Sequence, residues 1–380
     1  MFRSYKYRIY PNKQQNDDLD RVLEIHRQLY NAALTERCEA WKRCRVNISY
    51  YDQTNQLKAI REFDDDAAWL NFTSIQRTLR RLDKAFQFFF RCVKAGETSG
   101  YPRFKSKKRW KSAIYTFGDG IGISNGRLRI QNVGKIKVKW HRPLPPDGKP
   151  KSVVVKRTGE KWYAIFQVEL PDPEPIIHTG PVIGIDLGLT SLVALSTGET
   201  VEAPRFFRET EAHLRRQQRR ASRRKKFSNR WRKAQCQVSK THSHIADQRR
   251  DFLHKLSRRL VDDYSLIAVE DLNINGLAKS RLSKSVHDAG WFMLLQMLAY
   301  KAEEAGSRLV SVDPYNTSQA CSRCGCLVRK ELSVRVHDCP HCGLVIDRDH
   351  NAAINVLSRA LAAPGLGDQD STWPVRACVS

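Results

Sequence analysis

Hydrophobic and polar residues follow two different periods in the first hundred residues of the chain. Residues 3–9 alternate between polar and apolar side chains, which predicts a β-strand. Residues 13–44 instead place apolar side chains three or four positions apart, and residues 74–93 repeat this pattern opposite a lysine- and arginine-rich face. The pattern therefore predicts one strand followed by a helical region.

Short alternating segments replace the helical pattern after residue 100. They lie at residues 113–117, 122–124, 127–131, 135–140, 152–157 and 162–169. Asn125-Gly126 separates two of them and is a strong signal for a two-residue hairpin. Several short strands joined by turns predict a small β-barrel or sandwich.

A proline-rich joint at residues 171–181 predicts a domain boundary. Beyond it the pattern predicts strands at 182–186, 191–196 and 200–203, a helical stretch at 209–263, a strand at 266–270, a helix at 289–305, a strand at 308–312 and a helix after Asp349. This β-β-β-α-β-α-β-α order is that of an RNase H-like domain, so the fold class predicted is α/β with several domains.

The charge of the chain predicts a polyanionic partner. Its 380 residues include 66 lysines and arginines against 40 acidic residues, a net charge of +26. Residues 214–233 alone hold eleven of these cations, with Phe227 and Trp231 between them. A solvated face is the alternative, but we predict contacts with a phosphate backbone. The predicted contacts are Arg219, Arg220, Arg223 and Arg224 in this stretch, and Arg103 and Lys105 in the basic segment 101–111.

Several other classes of protein are disfavoured. No apolar run approaches the roughly 20 residues of a membrane span, so no membrane partner is expected. The first residues do not form a secretory signal, and no phosphate-binding GxxxxGK[ST] loop occurs. Ten cysteines without such a signal predict a reducing cytosol, where clustered cysteines bind metal.

Three carboxylates stand at element ends. Asp186 and Glu270 end apolar strands, and Asp349 begins the last helix. A buried carboxylate is costly unless a cation meets it, and Mg²⁺ prefers such oxygen ligands. Each acid alone could simply be a residue at the end of a strand or at the N-terminus of a helix. The three together predict a Mg²⁺ site, with Mn²⁺ as an alternative metal. Asp347 is a second candidate for the position that we assign to Asp349.

Four cysteines form the spacing C-x2-C-x14-C-x2-C. They are Cys321, Cys324, Cys339 and Cys342, and two thiolate pairs suit tetrahedral zinc. Such a site has no open position for a substrate, so we predict a structural Zn²⁺. Cys326, His337 and His341 lie close by as substitutes or bystanders.

The motifs of the chain resemble those of TnpB, a family of transposon-encoded RNA-guided DNA endonucleases related to compact type V CRISPR effectors. The matching segments run from about residue 3 to residue 358. They are YKYRIYPNKQQ, GYPRFKSKKR, GIDLGLTSLVALS, LIAVEDLN, DPYNTSQACSRCG and CGLVIDRDHNAAINV.

The resemblance implies a domain plan. It implies a wedge domain made of a strand at 1–10 and a barrel at 100–172, and a helical recognition domain at 11–99. A RuvC-like nuclease domain is implied at 181–315 and 346–360, with a zinc ribbon inserted at 316–345 and a loose tail at 361–380. Asp186, Glu270 and Asp349 match the catalytic acids of the family.

The resemblance also implies partners. A transposon-derived guide RNA would pair with double-stranded target DNA, displacing the other strand, beside a short transposon-adjacent motif. We expect Gln76 and Arg80, one helical turn apart, to help read that motif, while contact with phosphates or solvent is the alternative. Oligomeric state, guide and motif are not predicted. Two other functions stay open: an RNase H-like transposase acting on transposon ends, and a guide-RNA-dependent repressor that binds DNA without cutting it.

Overall fold

A computed structural model describes residues 1–171, 178–331 and 333–363. The chain divides into two compact units, Met1–Asp172 and Pro173–Ser380. Most of the predicted tail therefore lies outside the described residues, and the last helix runs two residues beyond its predicted end, to Ala362. No helix in the described part of the chain is long and apolar enough to cross a membrane.

The first unit contains a seven-stranded antiparallel sheet with the order β2-β6-β7-β1-β5-β4-β3. Its strands are β1 Phe2–Tyr10, β2 Ser112–Thr116, β3 Ile121–Ser124, β4 Arg127–Ile130, β5 Gly134–Lys139, β6 Lys149–Thr158 and β7 Lys161–Glu169. The first strand of the chain lies between β7 and β5, so residues 2–10 complete a sheet whose other strands begin a hundred residues later. Asn125 and Gly126 turn the chain between β3 and β4 with φ of 50° and 69°, as the hairpin prediction requires.

Four helices precede most of this sheet in the chain. They are α1 Lys13–Cys44, α2 Tyr50–Phe63, α3 Asp65–Trp69 and α4 Phe72–Lys94. Leu19, Leu34, Leu79 and Leu82 from α1 and α4 are buried in one core with the sheet. The sequence pattern missed α2 because that helix is mostly polar, although Ser49 and Asp52 cap its start.

The second unit is built on a five-stranded sheet with the order β10-β9-β8-β11-β12. The strands are β8 Val182–Leu187, β9 Ser191–Leu195, β10 Thr200–Glu202, β11 Leu266–Glu270 and β12 Arg308–Val312. The neighbours β8–β9 and β9–β10 are antiparallel, whereas β8, β11 and β12 run parallel. All five residues of β11 are buried, as expected for a parallel strand covered on both faces.

The helices of this unit differ from the predicted ones in two places. They are α5 Phe206–Ser222, α6 Asn229–Asp263, α7 Ile274–Leu277, α8 Ser283–Ala289, α9 Trp291–Ala305 and α10 Arg348–Ala362. The continuous helix expected over 209–263 is wrong, because a turn at 223–228 separates α5 from α6 and Ser228 caps the second helix. The helix expected over 289–305 is also interrupted, at Gly290, whose left-handed backbone (φ 72°) ends α8.

Helix α10 lies directly on the sheet because β8 has a glycine beneath it. Any side chain at Gly184 would overlap the carbonyl oxygen of Ala353 and come within 2.8 Å of Leu357 in that helix. Val356 and Ala360 of α10 share a core with Leu266 and Ala268 of β11. Side chains at i and i+2 of a strand share a face. Asp186 and Glu270 therefore point to the side of the sheet that α10 covers.

Candidate functional site

The three predicted acids meet at one end of the second sheet. Val269 of β11 pairs with Ile185 of β8, so Glu270 and Asp186 are the next residues on parallel neighbours. Asp349 is the second residue of α10, the helix that lies on the same face. The strand ends and the helix start thus place all three carboxylates at the same end of the sheet.

The acids affect one another's protonation. Burial, with smaller contributions from the charges of Glu270 and Asp349, raises the pKa of Asp186 to about 8. Burial also raises the pKa of Glu270, while the Thr317 hydroxyl, which donates a 2.5 Å hydrogen bond to it, and Arg359 lower it. The site therefore concentrates negative charge in a place with little water.

Two arginines contact the third acid. Nη1 of Arg335 lies 3.4 Å from Oδ2 of Asp349, and Nη2 of Arg348 lies 3.2 Å from Oδ1. Arg335 also donates a 2.9 Å hydrogen bond to the hydroxyl of Thr190. Sequence reasoning missed Thr317, Arg335 and Arg348. Thr317 and Arg348 do lie inside two of the quoted motifs, but nothing in the sequence pairs them with acids.

The donor chemistry of this site fits a hard divalent cation. Carboxylate oxygens are the ligands that Mg²⁺ prefers, and a cation would offset both the burial and the repulsion that raise the pKa of Asp186. Across the described residues, only the four ribbon cysteines bring three or more ligand atoms within 4.8 Å of one another.

The neighbouring acids have structural partners. The carboxylate of Asp347 accepts hydrogen bonds from the backbone N–H groups of Asp349 (2.8 Å) and His350 (3.1 Å), and so caps α10. Asp313 accepts from the N–H of Tyr315 in a turn, and Asp271 is exposed. These contacts favour Asp349 over Asp347 as the third member of the site.

We expect the acid cluster to make stability depend on pH. The ordinary pKa of an aspartate is 3.8, and that of Asp186 is about 8 in the folded chain, so the unfolded chain loses this proton first as pH rises. The free energy of unfolding then falls between about pH 4 and pH 8. Asp186→Asn should remove this loss of stability, because asparagine does not titrate. Each 1 kcal/mol of relief raises the melting temperature by about 2–4 °C.

Thermal unfolding of both proteins in magnesium-free buffer, at about pH 5 and about pH 8, measures the effect. The variant's advantage in melting temperature should be larger at the higher pH. An advantage that is equal at both pH values would show that Asp186 is not held protonated by its surroundings.

The four cysteines lie on two matching turns. Gly325 and Gly343 follow the second cysteine of each turn with φ of 75° and 67°, a conformation that favours glycine. The Sγ atoms of Cys321 and Cys342 are 3.5 Å apart, and those of Cys324 and Cys339 are 3.6 Å apart. A tetrahedral zinc with Zn–S bonds of about 2.3 Å separates its sulfurs by about 3.8 Å. The cluster therefore has the size of a zinc site.

The electrostatics of the ribbon also suit a metal. Burial raises the pKa of Cys321, but hydrogen bonds from the backbone N–H groups of Cys324 and Arg323 outweigh it, so that its pKa falls to about 5. Burial and hydrogen bonds to the other three thiols instead raise the pKa of Cys342. A thiolate is the form that binds zinc. Cys326, His337 and His341 lie outside the cluster of ligand atoms.

The ribbon is seated on the helix that carries Asp349. Its short strands, β13 Val336–Asp338 and β14 Val345–Asp347, pair antiparallel, and β14 leads straight into α10. The buried Asn351 of α10 donates to the carbonyl of Ala320 and accepts from the N–H of Ser322. Asn355 donates to the carbonyls of Thr317 and Ala320. The cysteine cluster thus supports the position of the acid.

The residues expected to contact nucleic acid are spread over both units. In the first unit, the Arg80 guanidinium lies 3.6 Å from the ring centroid of Tyr50 and 3.7 Å from Asp83, so it already has two partners within the protein. Gln76 lies one turn earlier and is half-buried. Arg103 is exposed, and Lys105 is half-buried against α1. In the second unit, the predicted contacts are all exposed: Arg219, Arg220, Arg223 and Arg224.

Comparison with known proteins identifies relatives over nearly the whole chain. A family model described as "Probable transposase" matches residues 165–281, one described as "Cas12f1-like, TNB domain" matches 291–356, and one described as "Helix-turn-helix domain" matches 1–45. Residues 1–45 of this chain form a strand and one long helix, β1 and α1, rather than two helices.

Two curated relatives align along almost their full length. A "Putative RNA-guided DNA endonuclease" of Streptomyces pristinaespiralis is 36% identical over 96% of this chain and 91% of its own. The "Putative RNA-guided DNA endonuclease InsQ" of Escherichia coli K12 is 28% identical over 96% of this chain and 94% of its own. A solved Cas12f1–sgRNA–target DNA complex superposes with a TM-score of 0.58 at 13% identity, covering 94% of this chain and 98% of that one, which shows a shared fold.

Proposed function

The chain belongs to the TnpB family, and from this premise we propose that it is an RNA-guided DNA endonuclease. It would hydrolyse a phosphodiester of target DNA beside a short adjacent motif, using two divalent ions at Asp186, Glu270 and Asp349. One observation carries the proposal: three acids from separate elements share one charged site at the end of β8 and β11.

Mg²⁺ would be held by Asp186, Glu270 and Asp349, and when bound it activates water and stabilises the leaving oxygen. Thr317 holds one oxygen of Glu270 by its hydrogen bond, and the other carboxylate oxygen would be the one available to bind the metal. Asp347 fixes the start of α10 and so orients Asp349. Arg335 and Arg348 reduce the negative charge at Asp349, so that a phosphate anion can approach.

We assign the domains on the same basis. The strand order of the second sheet supports an RNase H-like (RuvC) domain formed by residues 181–315 and 346–360, with the zinc ribbon at 316–345 between its parts. The pairing of β1 with β5 and β7 supports a wedge domain that combines residues 1–10 with 100–172. The helices of residues 11–99 would form the recognition domain.

The partners proposed are a transposon-derived guide RNA and double-stranded target DNA with its displaced strand. The net charge of +26 supports them, because polyanions neutralise such an excess. In a guide-dependent enzyme, base pairing reads most of the sequence, and the protein contacts backbone and a short motif. Specificity then needs few base contacts from the protein itself.

A transposase acting on transposon ends is the second candidate, since a "Probable transposase" model matches residues 165–281. Residues 1–45, which match a helix-turn-helix model, contain a single helix, α1, so that DNA-reading motif is not formed there. Sequencing the nucleic acid that copurifies with the protein distinguishes the two. A defined long RNA supports the nuclease. Binding to transposon ends without RNA supports the transposase.

We expect the arginines at the end of α5 to contribute through counterion release. Changing Arg219, Arg220, Arg223 and Arg224 to glutamine should weaken nucleic-acid binding most at low salt. The slope of log K against log salt should flatten by about 0.7–0.9 for each phosphate contact removed. Titrations at several salt concentrations measure this slope, and a slope identical to that of the parent chain would make these residues a solvated surface.

We expect Gln76 and Arg80 to influence the adjacent motif. Replacing both with alanine should relax the preference at one or two base positions, since a good bidentate contact discriminates by about 1–3 kcal/mol. Selecting cleavable motifs from a randomised library gives the profile. Tyr50→Leu is a matched control, because it removes the ring beside Arg80 but keeps both Gln76 and Arg80. This variant should keep the motif preference of the parent chain. A motif profile unaltered by the double change would exclude base reading.

A further inference from the structure

The turn between α5 and α6 carries an aromatic residue in an unfavourable backbone conformation. The N–H of Ser228 donates to the carbonyl of Lys225 and closes the turn, and Phe227 within it has φ of 68°. A bulky side chain rarely adopts this left-handed region, which glycine or asparagine occupies at little cost. A residue kept in an unfavourable conformation is a reason to look for a function.

The ring of Phe227 is presented outward. Phe227 is 63% exposed, and its ring lies 5.5 Å from that of Trp231 at an angle of 59°. Trp231 is half-buried at the start of α6. Trp231 therefore packs beside a phenylalanine that is more than half exposed.

A basic cavity opens between the two helices next to this turn. Its volume is about 590 Å³, and Arg220, Arg224, Arg230 and Lys233 contribute to its walls. Arg224 and Arg230 are each three residues from Phe227, on either side of it. No carboxylate pairs with these four cations within the described part of the chain. The cavity therefore suits an anion larger than a single ion.

We propose that the Phe227 turn and this cavity together bind an unpaired nucleotide of a nucleic-acid strand. The phenylalanine ring stacks on the base, and the arginines and the lysine bind the flanking phosphates. Stacking is open to any base, because every base has an aromatic face. A base inside a duplex has both faces covered, so the ligand is single-stranded. The proposal rests on the proposed function, since a guide-dependent nuclease handles both guide RNA and a displaced DNA strand.

Phe227→Gly tests this proposal, because it should change stability and affinity in opposite directions. Glycine accepts the left-handed backbone, so the melting temperature should stay the same or rise, while affinity for a single strand should fall. Loss of one stacked base corresponds to about 5- to 150-fold weaker binding. The salt slope should not change, because the ring is uncharged. Phe227→Trp should keep the affinity. Arg220→Gln with Arg224→Gln should instead flatten the slope, by about 0.7 for each contact.

The measurement is fluorescence anisotropy of the full chain in magnesium-free buffer, with labelled single strands of about 16 nucleotides. One arm uses RNA and another DNA, which identifies the kind of strand that is bound. Strands carrying 5-iodouracil should cross-link on irradiation to the peptide that contains Phe227. Equal affinity of Phe227→Gly and the parent for both strands, or an equal loss for a fully paired duplex, would overturn the proposal. No guide or cleavage is involved, so an inactive nuclease would leave this result unaffected.

Discussion

Asp186→Ala should abolish DNA cleavage while leaving RNA-dependent binding to matched DNA nearly unchanged. Asp186 is half-buried near the end of β8, where its charge interacts with Glu270 and Asp349. Losing a metal ligand there removes transition-state stabilisation that a bound ion supplies, several kcal/mol in typical sites. About 4 kcal/mol corresponds to a thousandfold loss of rate. Recognition rests on base pairing and backbone contacts, many of them on residues far from the acids in the sequence.

The test pairs strand cleavage in Mg²⁺ with gel-shift affinity for the same guide-matched duplex. Asp271→Ala is the matched control, since Asp271 follows Glu270 directly but is exposed, and it should cleave normally. Full cleavage by the Asp186→Ala protein would contradict the metal-site assignment. Loss of both cleavage and binding would indicate a folding defect, in which case Asp186→Asn, which keeps the side-chain shape, replaces it in the same assay.

Cys321→Ser should release one equivalent of zinc per chain and reduce cleavage strongly. Structural zinc contributes about 10–16 kcal/mol to the folding of small zinc domains, so its loss should unfold the ribbon. The consequence reaches the acids, because the ribbon is hydrogen-bonded to Asn351 and Asn355 of α10. Arg335, which contacts Asp349, also lies within the ribbon.

Elemental analysis gives the zinc content, and hydrogen exchange over residues 316–345 reports the loosening. Cys326→Ser is the matched control. Cys326 lies two residues after Cys324 but outside the cluster, so the variant should keep its zinc. A parent protein without zinc would refute the ribbon assignment. Full zinc content in Cys321→Ser would remove Cys321 from the ligand set.

The sequence identified local features of the fold better than distant ones. Strands such as β8 and β11 are uninterrupted apolar segments, so their ends, and with them Asp186 and Glu270, are visible in the pattern. The pairing of β1 with β5 and β7 joins residues more than a hundred positions apart, and no local period reports it. The polar helix α2 was missed because few of its residues are buried.

The side chains that contact the acids were also missed, because they lie far from the acids in the sequence. Thr317 reaches Glu270 across 47 positions of sequence, and Arg335 reaches Thr190 across 145. Such contacts depend on how α10 and the ribbon pack on the sheet. The break between α5 and α6 was missed because a phenylalanine occupies the left-handed position where a glycine would have marked a turn.

Reprogramming the guide tests the central claim most directly. The RNA that copurifies with the protein is sequenced, its guide segment is replaced, and cleavage of a DNA library in Mg²⁺ is mapped with the new complex. The account predicts that cuts move to sequences matching the new guide, beside the same adjacent motif, and that they disappear when the RNA is left out. Cuts that stay at their original sites, or that occur equally without RNA, would contradict it.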